Sequence, residues 1–482
     1  MSVVTRERWL YDDEHPPLAE LDAAIAAHYL ADEEPTVRAL VERAALDDER
    51  AVRVQASARE LVVAIRARQR EASGVDALLG EYDLSSREGI VLMCLAEALL
   101  RIPDATTADK LIADKLGGGD WQAHLGASDS LFVNASTWAL LLTGRIVRPA
   151  EVAEDAGTFV ARLVERLGEP IVRAALRQAM KILGQQFVMG ETIEAALRRA
   201  ARAPEYDYSF DMLGEAALTR ADAARYLAAY RAAIAAIGGA RGNGFAASIS
   251  VKLSALEPRY ERAQAPRALD SIATGLLELA TAAHGAGVAL TVDAEEADRL
   301  ELSLAIFARV LGATDLRHYD GLGLAVQAYQ KRAPHVLRWL DALARGAGRR
   351  IPVRLVKGAY WDSDIKRAQE LGLDGYPVFT RKTSTDVSYL ACARDLLMEH
   401  VHLFPQFATH NAHTVAWILE VGAGRPFEFS AYTVWARSST ARCSRGRASR
   451  DAAASTRRSG ATSTCCRIWC GGCSRTVRTR RS

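Results

Sequence analysis

Seven residues in the second half of the chain suit an anionic ligand by type: Lys252, Arg354, Lys357, Thr380, Arg381, Lys382 and Thr385. Arginine and lysine supply positive charge, while threonine hydroxyls and backbone N–H groups can complete a phosphate cradle. Arg354 and Lys357 lie in IPVRLVKGAYWDSDIKRAQ, which reads as a strand and runs directly into Tyr360 and Trp361. The simplest reading is that both cations snorkel from an edge strand. The sharper one is that the strand's end faces an anion, with the two aromatic faces available to a conjugated ring. Together these types suit a cofactor carrying a pyrophosphate and a large ring.

Other constellations carry less. Lys252 and Asp293 form either a buried ion pair or a polar support for chemistry. His410 and His413 have HxxH spacing, but no cysteine or carboxylate motif accompanies them, so packing or cofactor contact is expected rather than a metal. Cys470 and Cys473 have CxxC spacing in a stretch without fold-like pattern, a weak redox or zinc signal. Asp362 and Asp364 read as a solvated helix start, and Arg381 as a surface charge.

The elements that must position these residues differ between the two halves. Up to about Ala235, LAELDAAIAAHYL, EPTVRALVERAAL, SSREGIVLMCLAEALLRI and RADAARYLAAYRAAIAAI place apolar residues at three- and four-residue steps. Ser85-Ser86 and Thr219 mark helix starts. After GGARGNG come strand-like runs, SISVKLSAL, GVALTVDAEE, GLGLAVQAY, IPVRLVKGAY and PQFATHNAH, separated by amphipathic helices. Such alternation, with strands that read as nearly continuous apolar runs, predicts an α/β fold with a parallel sheet. The Gly-rich turn precedes a strand, the wrong order for a dinucleotide fold. Polar residues instead recur near the C-terminal ends of successive strands: Lys252, Asp293, Gln327, Arg354 with Lys357, then His410 and Asn411. That pattern favours a (β/α)8 barrel.

The totals set bounds. The 482 residues suggest more than one domain, and a 49% hydrophobic fraction is ample for a core. A net charge of +2 gives no general grip on nucleic acid. MSVVTRERWLYDDEHPP lacks an apolar signal region, and STWALLLTGRIV is too short to cross a bilayer, so a cytoplasmic protein is expected. Cys94 and Cys392 lie in apolar, helix-like runs and read as reduced core residues.

RLVKGAYWDSDIKRAQ, GYPVFTRK, TDVSYLACARDLL and QFATHNAHTV resemble the proline dehydrogenase barrel of the proline utilization A family. SVKLSALEPRY, LTVDAEEADRLE, LAVQAYQKRA and YSFDMLGEAALT match it too, as do EYDLSSREGIVLMCLAEALLRIPD and DSLFVNASTWALLLTGR. The resemblance runs from roughly residue 15 to Phe429. It implies a helical arm (1–70), an α-helical domain (71–180) and an FAD-binding barrel (181–430). It implies oxidation of L-proline to Δ1-pyrroline-5-carboxylate, with electrons passed through FAD to a membrane quinone, in the cytoplasm or at the periphery of the inner membrane. Carried over by motif, Arg354 sits beside the flavin N5 edge and Gln327 at the isoalloxazine. Lys357, Gly358, Ala359, Trp361, Thr380, Lys382, Thr385, His410 and Asn411 line FAD. Lys252, Asp293, Leu355 and Tyr360 border proline, with Asp293 and Lys252 a support pair rather than an obligatory base. The chain opens directly in the helical arm, so no nucleic-acid partner is expected. The family's aldehyde dehydrogenase half is expected to be absent.

The resemblance stops after FEF at Phe427–Phe429. The remainder, beginning SAYTVWARSS, has twelve arginines, one aspartate, and neither lysine nor glutamate. By composition it is a disordered basic tail. SAYTVWAR can also be encoded so that the next reading frame gives Gln-Arg-Leu-His-Gly-Met-Gly-Glu, the family's continuation, and a frameshift near Ser430 is the expectation. The lost segment would carry the arginine pair that grips the proline carboxylate. Six strand candidates, counting FEF, leave the barrel open at a parallel edge, and the chain is expected to be poorly active or unstable. The alternative is a non-catalytic scaffold that binds FAD weakly.

Overall fold

The computed structural model describes residues 18–71, 189–190, 192–204, 206–212, 214–240, 242 and 246–431, and the backbone strands at 465–470 and 473–478. Two compact units divide the chain, residues 1–61 with 189–482, and residues 62–188. SSREGIVLMCLAEALLRI, DSLFVNASTWALLLTGR and Cys94 fall outside the described residues.

Seven strands form a consecutive parallel set: β1 (Tyr206–Asp211), β2 (Ala247–Val251), β3 (Ala289–Val292), β4 (Leu322–Gln327), β5 (Ile351–Val356), β6 (Leu403–Ala408) and β7 (Glu428–Ala431). Six of these are the runs read from sequence. The seventh, β1, is YDYSFD, whose tyrosines, serine and aspartates carry no Val or Ile signal and hid it within the half read as helical. The helices between strands follow the predicted segments, among them Leu300–Leu311, Ala333–Gly346, Lys382–Met398 and Ala412–Val421. Thr219 starts the helix Arg220–Gly239 with a reciprocal capping box to Asp222.

The parallel barrel is incomplete as expected, with seven parallel strands rather than eight, but its edges are not left open, since the ring closes. The tail supplies a backbone hairpin, β8 (Cys465–Cys470) and β9 (Cys473–Arg478). β8 runs parallel to β7 and β9 antiparallel to β1, so the tail is not wholly without regular structure. The physical reason is that β1 and β7 would otherwise each present a row of unpaired N–H and C=O groups. Cys470 and Cys473 are opposite partners across a two-residue Gly-Gly connection, so their CxxC spacing is that of a tight hairpin.

The strands are also less uniformly apolar than they first read. Ile249, Val251, Leu290, Val292, Leu324, Val353, Leu355 and Phe407 belong to one core with the surrounding helices. Buried polar residues alternate with them: Ser209, Ser250, Thr291, Arg354, Gln406 and Glu428. Successive side chains on a strand point to opposite faces, so the second set fills the barrel. Gln406 Nε2 donates to Glu428 Oε2 at 2.8 Å inside it.

The N-terminal helices, Leu18–Ala27, Glu33–Ala44 and the start of Asp48–Glu71, lie along this unit. Leu40 packs on Phe379 and Ala391. Arg43 pairs with Asp395 at 2.7 Å, Arg53 with Glu420 at 2.6 Å, and Trp339 Nε1 donates to Asp22 at 2.8 Å. The rings of His28 and His335 stack with centroids 3.8 Å apart.

Candidate active site

Arg354 comes from the middle of β5 and is 1% exposed. Its Nη1 donates to Ser250 Oγ at 2.8 Å and to Asp293 Oδ1 at 3.3 Å. Its Nη2 donates to Ser209 Oγ at 2.9 Å and Thr291 Oγ1 at 3.4 Å. The partners sit on or just past β1, β2 and β3, so the guanidinium crosses the barrel interior. A planar fork with five N–H groups can serve such scattered acceptors; an ammonium cannot.

Lys252 lies one residue past β2, at the carboxyl end. Its Nζ reaches Asp211 Oδ2 at 3.0 Å and Asp293 Oδ2 at 3.2 Å. Burial opposes its charge, but the carboxylates of Asp293 and Asp211 outweigh that and raise its pKa. Burial pushes Asp293 up, while Lys252 and Arg354 pull it down and Asp211 adds to the rise. The result is a line of alternating charge, Arg354, Asp293, Lys252, Asp211, running from the middle of β5 to the carboxyl ends of β3, β2 and β1. Asp211 was missed in sequence. It ends the one strand that was not recognised, although YSFD itself was in view. Lys252 also receives order from behind: its backbone N–H donates to the Tyr230 hydroxyl at 3.3 Å.

Gln327, the last residue of β4, ties two strand ends together. Its Nε2 donates to the Glu295 carbonyl at 2.8 Å, and its Oε1 accepts from Ala359 N at 3.1 Å. After β5 the chain turns through Lys357, Gly358 and Ala359 to Tyr360. Gly358 has φ +149°, and a Cβ there would come within 2.4 Å of the Tyr329 ring. Only glycine fits both constraints. The Tyr360 hydroxyl donates to Glu215 Oε2 at 3.2 Å, and burial, then Glu215, raises its pKa. Trp361 is 42% exposed, with Nε1 donating to the Phe379 carbonyl at 2.9 Å.

The remaining candidates are spread along the rim. Lys357 and Lys382 both pair with Asp386, the latter at 3.2 Å. Exposed Thr380 donates its N–H and hydroxyl to Glu33 Oε2 of the N-terminal helices, each at 3.0 Å. Thr385 is buried in the first turns of Lys382–Met398. Asn411 caps Ala412–Val421, its Oδ1 accepting from Thr414 N at 3.0 Å. His410 is pushed down to about 4 by burial and is neutral at pH 7. Leu355 belongs to the main core rather than to the polar interior.

Asp364 is not the solvated helix start read from sequence. It is 3% exposed, accepts from Tyr329 Oη at 2.5 Å and Ala297 N at 2.9 Å, and is pushed up to about 6 by burial. The helix Trp361–Glu370 turns this face onto the barrel. Among the described residues no group of three His, Cys, Asp or Glu side chains could hold a metal. Among them, too, no helix is long and apolar enough to cross a membrane.

By type the donor set suits a flavin nucleotide: a buried guanidinium within the barrel, a buried ammonium at a strand end, a partly exposed indole at Trp361, and Thr380 donors that already hold a carboxylate. Comparison with known proteins gives the family. A family model described as "Proline dehydrogenase" matches residues 195–434, and one described as "Proline utilization A proline dehydrogenase N-terminal domain" matches residues 20–66. A third, "DNA-binding domain of Proline dehydrogenase", matches residues 74–187, outside the described residues. That description names a nucleic-acid role where none was expected.

The Bifunctional protein PutA of Salmonella typhimurium is 48% identical over 426 residues, covering 84% of this chain and 32% of that protein. Its Escherichia coli counterpart is 49% identical over 408 residues, 83% of this chain and 31% of that one. This chain thus spans about a third of these relatives' length. A crystal structure of a Bradyrhizobium japonicum proline utilization A mutant aligns with TM-score 0.64 and 47% identity, covering 87% of this chain and 42% of that chain. On this combination of motifs, barrel and relatives, the chain belongs to the proline dehydrogenase family and corresponds to the N-terminal, proline dehydrogenase part of proline utilization A.

Proposed function

We propose that this chain binds FAD and oxidises L-proline to Δ1-pyrroline-5-carboxylate. The observation that carries the reading is the buried line Arg354, Asp293, Lys252, Asp211, which leads from inside the barrel to the carboxyl ends of its parallel strands, where such barrels place their chemistry. One solved relative, 46% identical, is a proline utilization A with proline bound in remote sites. When bound, FAD supplies the hydride acceptor.

The chain's own residues divide the remaining work. Arg354 holds positive charge at a dry position beside the proposed flavin edge, where it favours developing negative charge. Gln327 and Ala359 fix the distance between the ends of β3, β4 and β5. Tyr360 borders the proline ring, while Leu355, which packs in the main core, supports β5 from behind. Lys252 and Asp293 orient the substrate. Lys357, Gly358, Trp361, Thr380, Lys382, Thr385, His410 and Asn411 line the cofactor. The electron acceptor is a membrane quinone reached from the cytoplasmic side. Residues 1–70, 71–180 and 181–430 serve as arm, helical domain and barrel.

The same geometry supports weak turnover. Lys252 and Arg354 both already hold carboxylates, so neither is free to grip the carboxylate of proline. The sequence after Phe429, read as frameshifted, does not supply the family's arginine pair. A charged contact missing from a buried site costs about 2–5 kcal/mol of binding. The purified chain is mixed with FAD, and bleaching of the visible flavin band by L-proline is followed without oxygen. Retained yellow colour with slow bleaching that needs high proline is expected. Fast turnover at low proline defeats the impairment, colour without any bleaching marks a scaffold, and no retained FAD defeats the flavoprotein reading. A mobility shift with duplex DNA tests the role described for residues 74–187: a shift supports it and no shift counts against it.

A further inference from the structure

We propose that Tyr329 and Asp364 form a positioning pair that fixes the turn Lys357–Tyr360 against the flavin site. The inference rests on the flavoprotein reading and adds to it two residues that touch neither proposed ligand.

Tyr329 meets four segments at once. Its N–H donates to the Lys357 carbonyl at 2.7 Å, and its carbonyl accepts from Phe379 N at 2.8 Å. Its ring lies under Gly358 so closely that no side chain fits there. Its hydroxyl donates to Asp364 Oδ2, whose other oxygen accepts from Ala297 N beyond β3. The segments joined are the ends of β3, β4 and β5 and the Phe379–Thr380 stretch. Those same segments carry Asp293, Gln327, Ala359, Tyr360 and Thr380. Tyr329 is 2% exposed and Asp364 3% exposed, so water does not replace a lost bond.

The pair has a charged setting that keeps it in place. Glu296 and Asp298 face Asp364 and raise its pKa after burial has done so. Arg367 neutralises Asp298 at 2.8 Å, and Arg332 donates to the Ala297 carbonyl and lies over the Tyr29 ring. Loss of the Tyr329 hydroxyl therefore loosens the floor of the turn without unbalancing the cluster's charge.

Two measurements test the proposal on the full chain. In the ligand-free protein, Tyr329→Phe and Asp364→Ala are expected to speed amide exchange across residues 357–364 while leaving β3 at 289–292 unchanged. In FAD titrations each variant raises the dissociation constant about ten-fold, and the double variant is no worse, since the two act as one unit. Asp364→Asn keeps an oxygen for Tyr329 and stays within about three-fold of the parent. Unchanged exchange in the turn, or losses that multiply to about a hundred-fold in the double variant, overturns the pair. So does faster exchange with unaltered FAD affinity. A parent chain that takes up no FAD overturns the flavoprotein reading instead, and exchange alone then decides whether the pair holds the turn.

Discussion

Arg354 Nη1 lies 3.3 Å from Asp293 Oδ1, although Arg354 stands on β5 and Asp293 just past β3, with β4 between the two strands. Lys252 meets the other oxygen of the same carboxylate at 3.2 Å. One carboxylate therefore joins both cations of the site, and substitution at any member is felt by the rest.

Arg354→Lys keeps the charge but loses the fork. It is expected to leave Ser209, Ser250 and Thr291 without their shared donor and to slow flavin reduction by about 10²-fold, as a small misplacement near reacting atoms does. FAD remains bound. Anaerobic stopped-flow reduction by proline, at equal flavin content, is the check.

Asp211→Ala removes one of two carboxylates from a buried ammonium. A broken buried pair costs about 3–5 kcal/mol, so the urea midpoint is expected to fall sharply. Asp211→Asn retains an acceptor for Lys252 and is expected to lose less. Equal midpoints for the parent and the alanine variant would show Asp211 to be dispensable.

Gly358→Ala places a methyl against the Tyr329 ring at a φ of +149°. Strain of this kind costs about 1–3 kcal/mol, and the thermal midpoint is expected to drop accordingly. Gly348→Ala, at φ +61° with open space around it, carries only the backbone part of that strain and should fall less.

His335 gives a pH dependence. Burial, then His28, Arg338 and Arg43, lowers its pKa from 6.5 to about 4. The folded chain thus refuses a proton that the unfolded chain accepts. Its contribution is whole above pH 6.5, falls as pH drops toward 4, and is flat below. Asp364 and Asp395, both pushed up to about 6 by burial, act in the opposite sense: their contribution is present below 3.8 and lost as pH rises through 6. The difference between parent and His335→Phe isolates the histidine. Urea unfolding at pH 7 and pH 5 is expected to show a smaller loss in the variant, and identical losses would count against the assignment.

Much of this was legible from residues alone. Val, Ile and Leu runs bounded by helices marked β2 to β5, the run PQFATHNAH between helices marked β6, and a polar residue at or near each carboxyl end marked the site. β1 escaped because YDYSFD carries its strand signal in alternation rather than in branched aliphatics, and Asp211 escaped with it. Asp364 was misread because a carboxylate in a first helical turn is equally at home in water. Only the tertiary partners, Tyr329 and Ala297, place it inside. The engagement of Lys357 and Lys382 by Asp386 could not be told from a free cationic cradle, since i,i+4 spacing explains only the second contact.

That shared carboxylate sets the terms on which the proposed cofactor's phosphates would be received. Two lysines less one aspartate leave a local charge of plus one, not plus two, at this corner of the rim. An incoming phosphate must displace or share an existing partner, so raising ionic strength should weaken its attachment only shallowly. The corner then discriminates by shape and hydrogen bonding more than by long-range attraction.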